Sequence, residues 1–225
     1  MPGQIGFRIR TDVPRTPAAL VEAFRGKASS DVADAMGRLN VMDPGIVGRT
    51  DRPLCGPAVT VKVRPGDNLM VHKALQVAAP GDVIVVSTQG NTTTAVFGGL
   101  MATTAVAAGL GGVVVDGAVR DLDGLRELAF PVFSRSVSPG GPDRAGPGEI
   151  NVPIACGGAA VLPGDLVVGD ADGVVVVPRD DAAAVLENLL ALEALEEKRR
   201  AAIRSGAIHH PAVDETLRAK GLIPG

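Results

Sequence analysis

Arg120 and Asp121 follow the run Gly112-Val113-Val114-Val115-Asp116-Gly117-Ala118-Val119, so a guanidinium and a carboxylate emerge side by side where a buried strand gives out. Loops at the carboxyl ends of strands are where α/β proteins hold their ligands. A guanidinium offers a planar fork to a carboxylate or enolate oxygen. An aspartate offers hard oxygen to Mg²⁺ or Mn²⁺, which accept one protein carboxylate together with water and substrate. The same pair could equally serve as a cap for the helix that the pattern starts at Leu122. Upstream, Gly98-Gly99-Leu100-Met101 opens another helix. Its first amides, unobstructed by side chains, form either an anion site or a plain helix-initiating loop. Asp170, Asp172 and Gly173 read as a tight β-turn.

Other chemistries fail for want of parts. The 3 histidines are His72, in a helical pattern, and His209-His210 near the C-terminus, so a histidine metal triad or a Ser-His-Asp relay would need distant residues to converge. Gly109-Leu110-Gly111-Gly112 precedes a strand, whereas a dinucleotide or S-adenosylmethionine loop needs strand, glycines and helix in that order. The two cysteines, Cys55 and Cys156, have no CxxC spacing and read as buried thiols.

The elements that must position Arg120 and Asp121 alternate. A helical segment at 18–25 is followed by Ser29-Ser30-Asp31 as an N-cap before a helix over 32–37. Strands are expected over 57–63, 83–87 and 113–115 and from Val132, with helices over 68–78, 100–108 and 122–128. Residues 138–148 hold four glycines and three prolines and form a loop. Residues 150–177 are β in pattern, and a helix over about 180–204 precedes a polar tail. Pro-Gly-Asp occurs three times, ending at Asp67, Asp82 and Asp165. This order predicts an α/β fold with mixed sheets in a single domain over 1–225, with its core over about 29–178.

Net charge is −3, with no long run of like charge, and Trp and Tyr are absent. Neither the counterion release nor the stacking that nucleic-acid binding draws on is provided for. Residues 92–115 carry no charge and could span a bilayer by length, but threonines and glycines break them up. No membrane partner and a cytoplasmic location are therefore expected.

Four stretches together resemble the RraA-like family: Gly112 to Asp121, Ser138 to Pro142, Gly148 to Gly158 and Pro163 to Pro178. The family comprises 4-hydroxy-4-methyl-2-oxoglutarate (HMG/CHA) aldolases and regulators of ribonuclease E activity. The resemblance runs over about 29–203 and implies a swivelling β/β/α-type fold in ring-shaped homotrimers, sometimes stacked as hexamers, with active sites between subunits. It implies Mg²⁺ (or Mn²⁺) held by Asp121, and a 2-oxo acid held by Arg120 and by the amides of Leu100 and Met101 beside Gly98 and Gly99. Glu196 or Glu197 of a neighbouring copy would complete the site. The implied activity is carbon–carbon cleavage giving pyruvate, as an aldolase, an oxaloacetate decarboxylase or both. The alternative is a non-catalytic regulator that binds an RNA-processing enzyme; such members lack the carboxylate after the arginine, which is present here as Asp121. One position departs from the aldolase pattern: Gly99 stands where an acidic residue organises water for proton transfer. Asp116 and Glu149 are the candidate substitutes.

Overall fold

The computed structural model describes residues 4–224. In chain order the elements are α1 (Ala18–Phe24), α2 (Ser29–Ala35), β1 (Val47–Gly48), β2 (Leu54–Val63), α3 (Leu69–Val77), β3 (Val83–Ser87), β4 (Ala95–Phe97), α4 (Gly99–Ala107), β5 (Gly112–Val119) and α5 (Leu122–Glu127). They continue with β6 (Val132–Val137), β7 (Gly148–Ile150), β8 (Ile154–Cys156), β9 (Ala159–Val161), β10 (Leu166–Asp170), β11 (Gly173–Val177), α6 (Ala182–Arg204) and α7 (Pro211–Ala219).

Strands β6, β5, β3 and β2 run parallel, and β10 and β11 extend this sheet antiparallel from β2. The order is β1-β6-β5-β3-β2-β10-β11, with β4 added to β5 and β7 to β2. Val41 bridges to Val175 of β11 just before the chain enters β1, so the two edges approach and the sheet is a nearly closed barrel. This is the mixed α/β architecture expected from the sequence.

Strand side chains alternate between two faces, and here both faces are buried. In β3, Val83 and Val85 point into the barrel with Val114 and Phe133, while Ile84 and Val86 point outward beneath α3, α4 and α5. In β11, Val174 and Val176 point inward, and Val175 and Val177 meet α1, α2 and α6. Continuous valine runs are therefore required, because each fully buried valine contributes roughly 1.5–3 kcal/mol.

The three Pro-Gly-Asp turns have one physical basis. Gly66, Gly81 and Gly164 all take positive φ, and each following carboxylate is buried. Asp82 accepts the N–H of Ala79 (2.7 Å), and Asp165 those of Leu162 (2.8 Å) and Arg179 (3.0 Å). Asp67 reaches further, accepting from Leu69 (2.9 Å) and from Ala145 and Gly146 (2.8 Å each) in the 138–148 loop.

Three expectations need correction. Helix α2 starts at Ser29, which does not cap it; the Ser29 N–H and hydroxyl instead donate to Asp170 of the β10–β11 turn (2.8 and 2.6 Å). The three-residue strand β4 lacked a recognisable pattern. The polar tail contains helix α7, begun by Pro211 and capped by His210, whose Nδ1 accepts the N–H of Ala212 (3.3 Å). Cys55 and Cys156 are buried free thiols. Among the described residues no helix is long and apolar enough to cross a membrane; residues 92–115 fold into β4, α4 and β5.

Candidate functional site

Strand β5 ends at Val119, and the chain then passes between the end of β4 and the 138–148 loop. The Arg120 N–H donates to Phe97 O (3.0 Å), and the Ser138 N–H donates to Val119 O (3.0 Å). Arg120 is thereby held with one flank against Gly98 and its guanidinium against Gly141, where an added Cβ would lie 3.1 Å from Nη1.

Asp121 adopts left-handed backbone geometry (φ 63°). Asp tolerates this region better than most residues, yet it still carries strain, and such positions concentrate at functional sites. Its side chain makes no capping bond to α5, which begins at the next residue. It caps α4 instead: Oδ2 accepts the N–H of Gly99 at 2.9 Å and lies 3.7 Å from Arg120 Nε. The capping alternative is thus realised on a different helix from the one the sequence suggested, and the carboxylate remains half exposed.

The next two amides of α4, those of Leu100 and Met101, have no acceptor among the described residues; the helix resumes with Ala102 N–H donating to Gly98 O (3.0 Å). Two free N–H groups at the positive end of a helix attract an anion. Gly98, Leu100, Met101, Arg120 and Asp121 line one cavity of about 100 Å³. Gly99 is not among the lining residues; its N–H is taken by Asp121. The volume suits a small acid and is far below what nucleotide-sized ligands occupy.

The metal expected at Asp121 can be tested against its donors. No hydrogen bond reaches Oδ1 among the described residues, so one hard oxygen is available. Among those residues no group of three or more His, Cys, Asp or Glu side chains is arranged to hold a metal ion. The donors fit a cation that keeps most of its water, as Mg²⁺ does. They do not fit an all-protein zinc cage.

Four predicted residues are not brought to this cavity. Asp116 points the other way along β5: Oδ1 accepts from Arg135 Nε (2.5 Å) and Oδ2 from the Gly157 N–H (2.9 Å). Glu149 is occupied by Arg8 and by the Gly6 N–H (3.3 Å). The Arg8 hydrogen bond first, with its charge and Lys62 in support, holds that carboxyl below its ordinary range despite burial. Neither residue replaces the acid missing at Gly99. Glu196 and Glu197 lie on α6, paired with Arg200 (2.6 Å) and Arg204 (3.5 Å), away from the cavity of their own chain.

Three polar lining residues are not among those the sequence points to: Asn68, His72 and Arg144. Asn68 occupies the N-cap position of α3 but makes no capping bond; the Leu69 N–H goes to Asp67 instead (2.9 Å). His72 lies one helical turn further along α3, on the same face. Burial, and secondarily the Arg144 guanidinium, push its pKa below the ordinary value, so the imidazole is neutral at pH 7.

Comparison with known proteins bears on the family and the fold. The RraA-like family model, described as Aldolase/RraA, matches residues 29–176. A Halalkalibacterium halodurans protein named "Putative 4-hydroxy-4-methyl-2-oxoglutarate aldolase" is 41% identical over 185 residues, 81% of this chain and 88% of its own length. A crystal structure from Pseudomonas syringae pv. tomato superposes with a TM-score of 0.76 at 30% identity, covering 86% of this chain and 96% of that one. A Streptomyces coelicolor protein, described as an unusual member of the RNase ES inhibitor RraA protein family, superposes with a TM-score of 0.74 at 29% identity. It is covered over 98% of its length and covers 83% of this chain. With sequence and fold in agreement, the chain belongs to the RraA-like family.

Proposed function

We propose that this protein is a divalent-metal-dependent carbon–carbon lyase that releases pyruvate from small 2-oxo acids, by 4-hydroxy-4-methyl-2-oxoglutarate aldolase-type cleavage, oxaloacetate decarboxylation or both. The observation that carries this reading is the convergence of Arg120, the half-exposed Asp121 carboxylate and the free α4 amides on one small cavity. The Leu100 and Met101 amides bind the substrate carboxylate. Arg120 donates to the ketone oxygen and stabilises the negative charge that develops there as the bond beyond C3 breaks. Asp121 holds Mg²⁺ or Mn²⁺, which when bound acts as a Lewis acid toward the ketone. Copies assemble as a trimer or hexamer, and Glu196 or Glu197 on α6 of a neighbour closes the site. The outer half of α6 suits this role, since it leaves Leu195 exposed.

A pyruvate-coupled assay across 2-oxo acids tests the reading. Release should require Mg²⁺ or Mn²⁺ and stop on chelation, and Asp121→Ala should be inactive. Metal-independent release, or none from any substrate, would overturn it. Aldol cleavage must also remove the C4 hydroxyl proton, whereas decarboxylation need not. With glycine at 99, oxaloacetate should be turned over at least about tenfold more efficiently than a 4-hydroxy-2-oxo acid, since a positioned base contributes roughly 10²–10⁴. Gly99→Asp should narrow that gap; a Cβ there meets Asp121 at 3.5 Å, an ordinary contact. Equal kcat/KM for the two substrates in the unmodified protein would refute the asymmetry.

A second reading, a regulator of an RNA-processing enzyme, is favoured by the description of the Streptomyces coelicolor relative. It predicts binding to an RNase E-type nuclease that survives both chelation and Asp121→Ala.

A further inference from the structure

We infer that the mouth of the barrel, at Lys62, Ser87 and Gln89, is a second ligand site, separate from the α4 cavity, that takes a monocarboxylate carrying an apolar chain.

Lys62 and Ser87 are register partners at the carboxyl ends of the parallel strands β2 and β3. Strand alternation gives Ser87 the face of Val83 and Val85, inside the barrel, and gives Lys62 the face of Ala58. Val61 and Val86 take the other face, beneath the helices. The apolar filling of the barrel therefore ends in a polar layer. Two adjoining cavities of about 380 and 450 Å³ meet there and share Lys62 and Gln89. Each falls in the range of small-molecule sites, about 300–1,000 Å³. Neither has a lining residue in common with the α4 cavity.

Three side chains at this mouth are uncommitted. Ser87 is only 8% exposed, yet its hydroxyl has no hydrogen-bond partner among the described residues. The Lys62 ammonium forms no ion pair among them. Glu149, which lines the first cavity, is already engaged by two Arg8 nitrogens and by the Gly6 N–H (3.3 Å). Gln89 lines both cavities with its backbone at φ 58°, a left-handed conformation that Asn or Gly suits better. The preceding residue fixes it in place, since the Thr88 hydroxyl donates to Asp116 O (2.6 Å). Strain of this kind concentrates where ligands are held.

Charge and shape set the ligand class. Arg8 is matched by Glu149, and Arg64 by Asp143 (3.2 Å), so Lys62 is left to meet one negative charge. An ammonium, a hydroxyl and a carboxamide together offer donors to both oxygens of a carboxylate. The remaining walls are apolar, with Ile5, Pro65 and Pro147 in one cavity and Pro153 and Ile154 in the other. A short hydrocarbon chain fits such walls, each methylene removed from water adding about fourfold to affinity.

Titration calorimetry on the full chain with hexanoate, 1-hexanol and acetate tests this, since 1-hexanol lacks the charge and acetate lacks the chain. Hexanoate should bind at least about tenfold more tightly than either, the range of a charge-assisted hydrogen bond for the first comparison and of several buried methylenes for the second. Lys62→Gln should bring hexanoate to within about twofold of 1-hexanol. Lys62 is exposed, so the far-UV circular dichroism of this variant should match that of the unmodified protein. Arg120→Gln should leave hexanoate binding unchanged, which separates this site from the α4 amides. No saturable hexanoate binding, equal binding of hexanoate and 1-hexanol, or a loss in Arg120→Gln in place of Lys62→Gln would each overturn the site.

Discussion

Replacing Asp121 by asparagine is expected to lower pyruvate release by about 10²–10³, some 2.7–4 kcal/mol of transition-state stabilisation, with little change in fold. Asparagine isolates the charge better than alanine does. It tolerates the left-handed backbone at this position (φ 63°) at least as well as aspartate, and its amide oxygen can still accept the Gly99 N–H. What disappears is the anionic oxygen available to a hard cation. Turnover should fall and the Mg²⁺ concentration for half-activity should rise, with the thermal midpoint moving by no more than a few degrees. Wild-type turnover in Asp121→Asn with unchanged Mg²⁺ dependence would show that the carboxylate is a cap for α4 and nothing more.

The parts of this site that lie close together in sequence were legible without coordinates. Arg120 and Asp121 stand at the end of a valine run that only a doubly buried strand explains, and Gly98-Gly99 stands where a helix must start. Proximity also misled. Asp116 shares the motif, but strand alternation sends it to the same side as Val114, into the barrel layer where Arg135 and the Gly157 amide neutralise it. Asn68, His72 and Arg144 were invisible for the converse reason. They reach the cavity only because Asp67 ties the 138–148 loop to the start of α3, a contact between segments far apart in the chain. Local pattern places Asn68 only at the start of a helix over 68–78, and with the Leu69 N–H taken by Asp67 its side chain is released from capping. Strand β4 was missed because three residues are too few to show a period, although its end at Phe97 supplies the acceptor that seats Arg120.

The pinning has an energetic consequence. Burial alone would raise the Asp67 carboxyl, but the N–H groups of Leu69, Ala145 and Gly146, with Arg64 nearby, bring it below its ordinary range. A carboxyl depressed in the folded state stabilises the protein above its unfolded pKa, and that contribution is lost as pH falls through the folded value. The same group holds the loop that carries Arg144, so acid should loosen the cavity wall as well as the global fold.

Gly98→Ala should be nearly as damaging to activity as the loss of the Asp121 charge, for a purely steric reason. The backbone at Gly98 is extended (φ −164°) and open to alanine, so the fold is not threatened. However, a Cβ there would lie 2.7 Å from Asp121 Oδ2 and 3.0 Å from Arg120 Cγ. Neither group retreats without cost: the Asp121 carboxylate would give up the Gly99 N–H (2.9 Å), and the guanidinium of Arg120 lies close to Gly141, where even an added Cβ would be 3.1 Å from Nη1. One of them must move by several tenths of an ångström, and displacements approaching 1 Å can cost as much as about 10² in rate. Turnover should therefore fall by about 10- to 100-fold while far-UV circular dichroism stays unchanged. Gly99→Ala is the matched control, because its Cβ meets Asp121 at 3.5 Å. It should leave activity within about twofold. If the two alanine variants behaved alike in turnover, the close packing of Gly98 against Arg120 and Asp121 would have no part in catalysis. A large loss confined to Gly98→Ala would show that the glycine is required by the side chains it lies against, since its backbone geometry is one any residue can adopt.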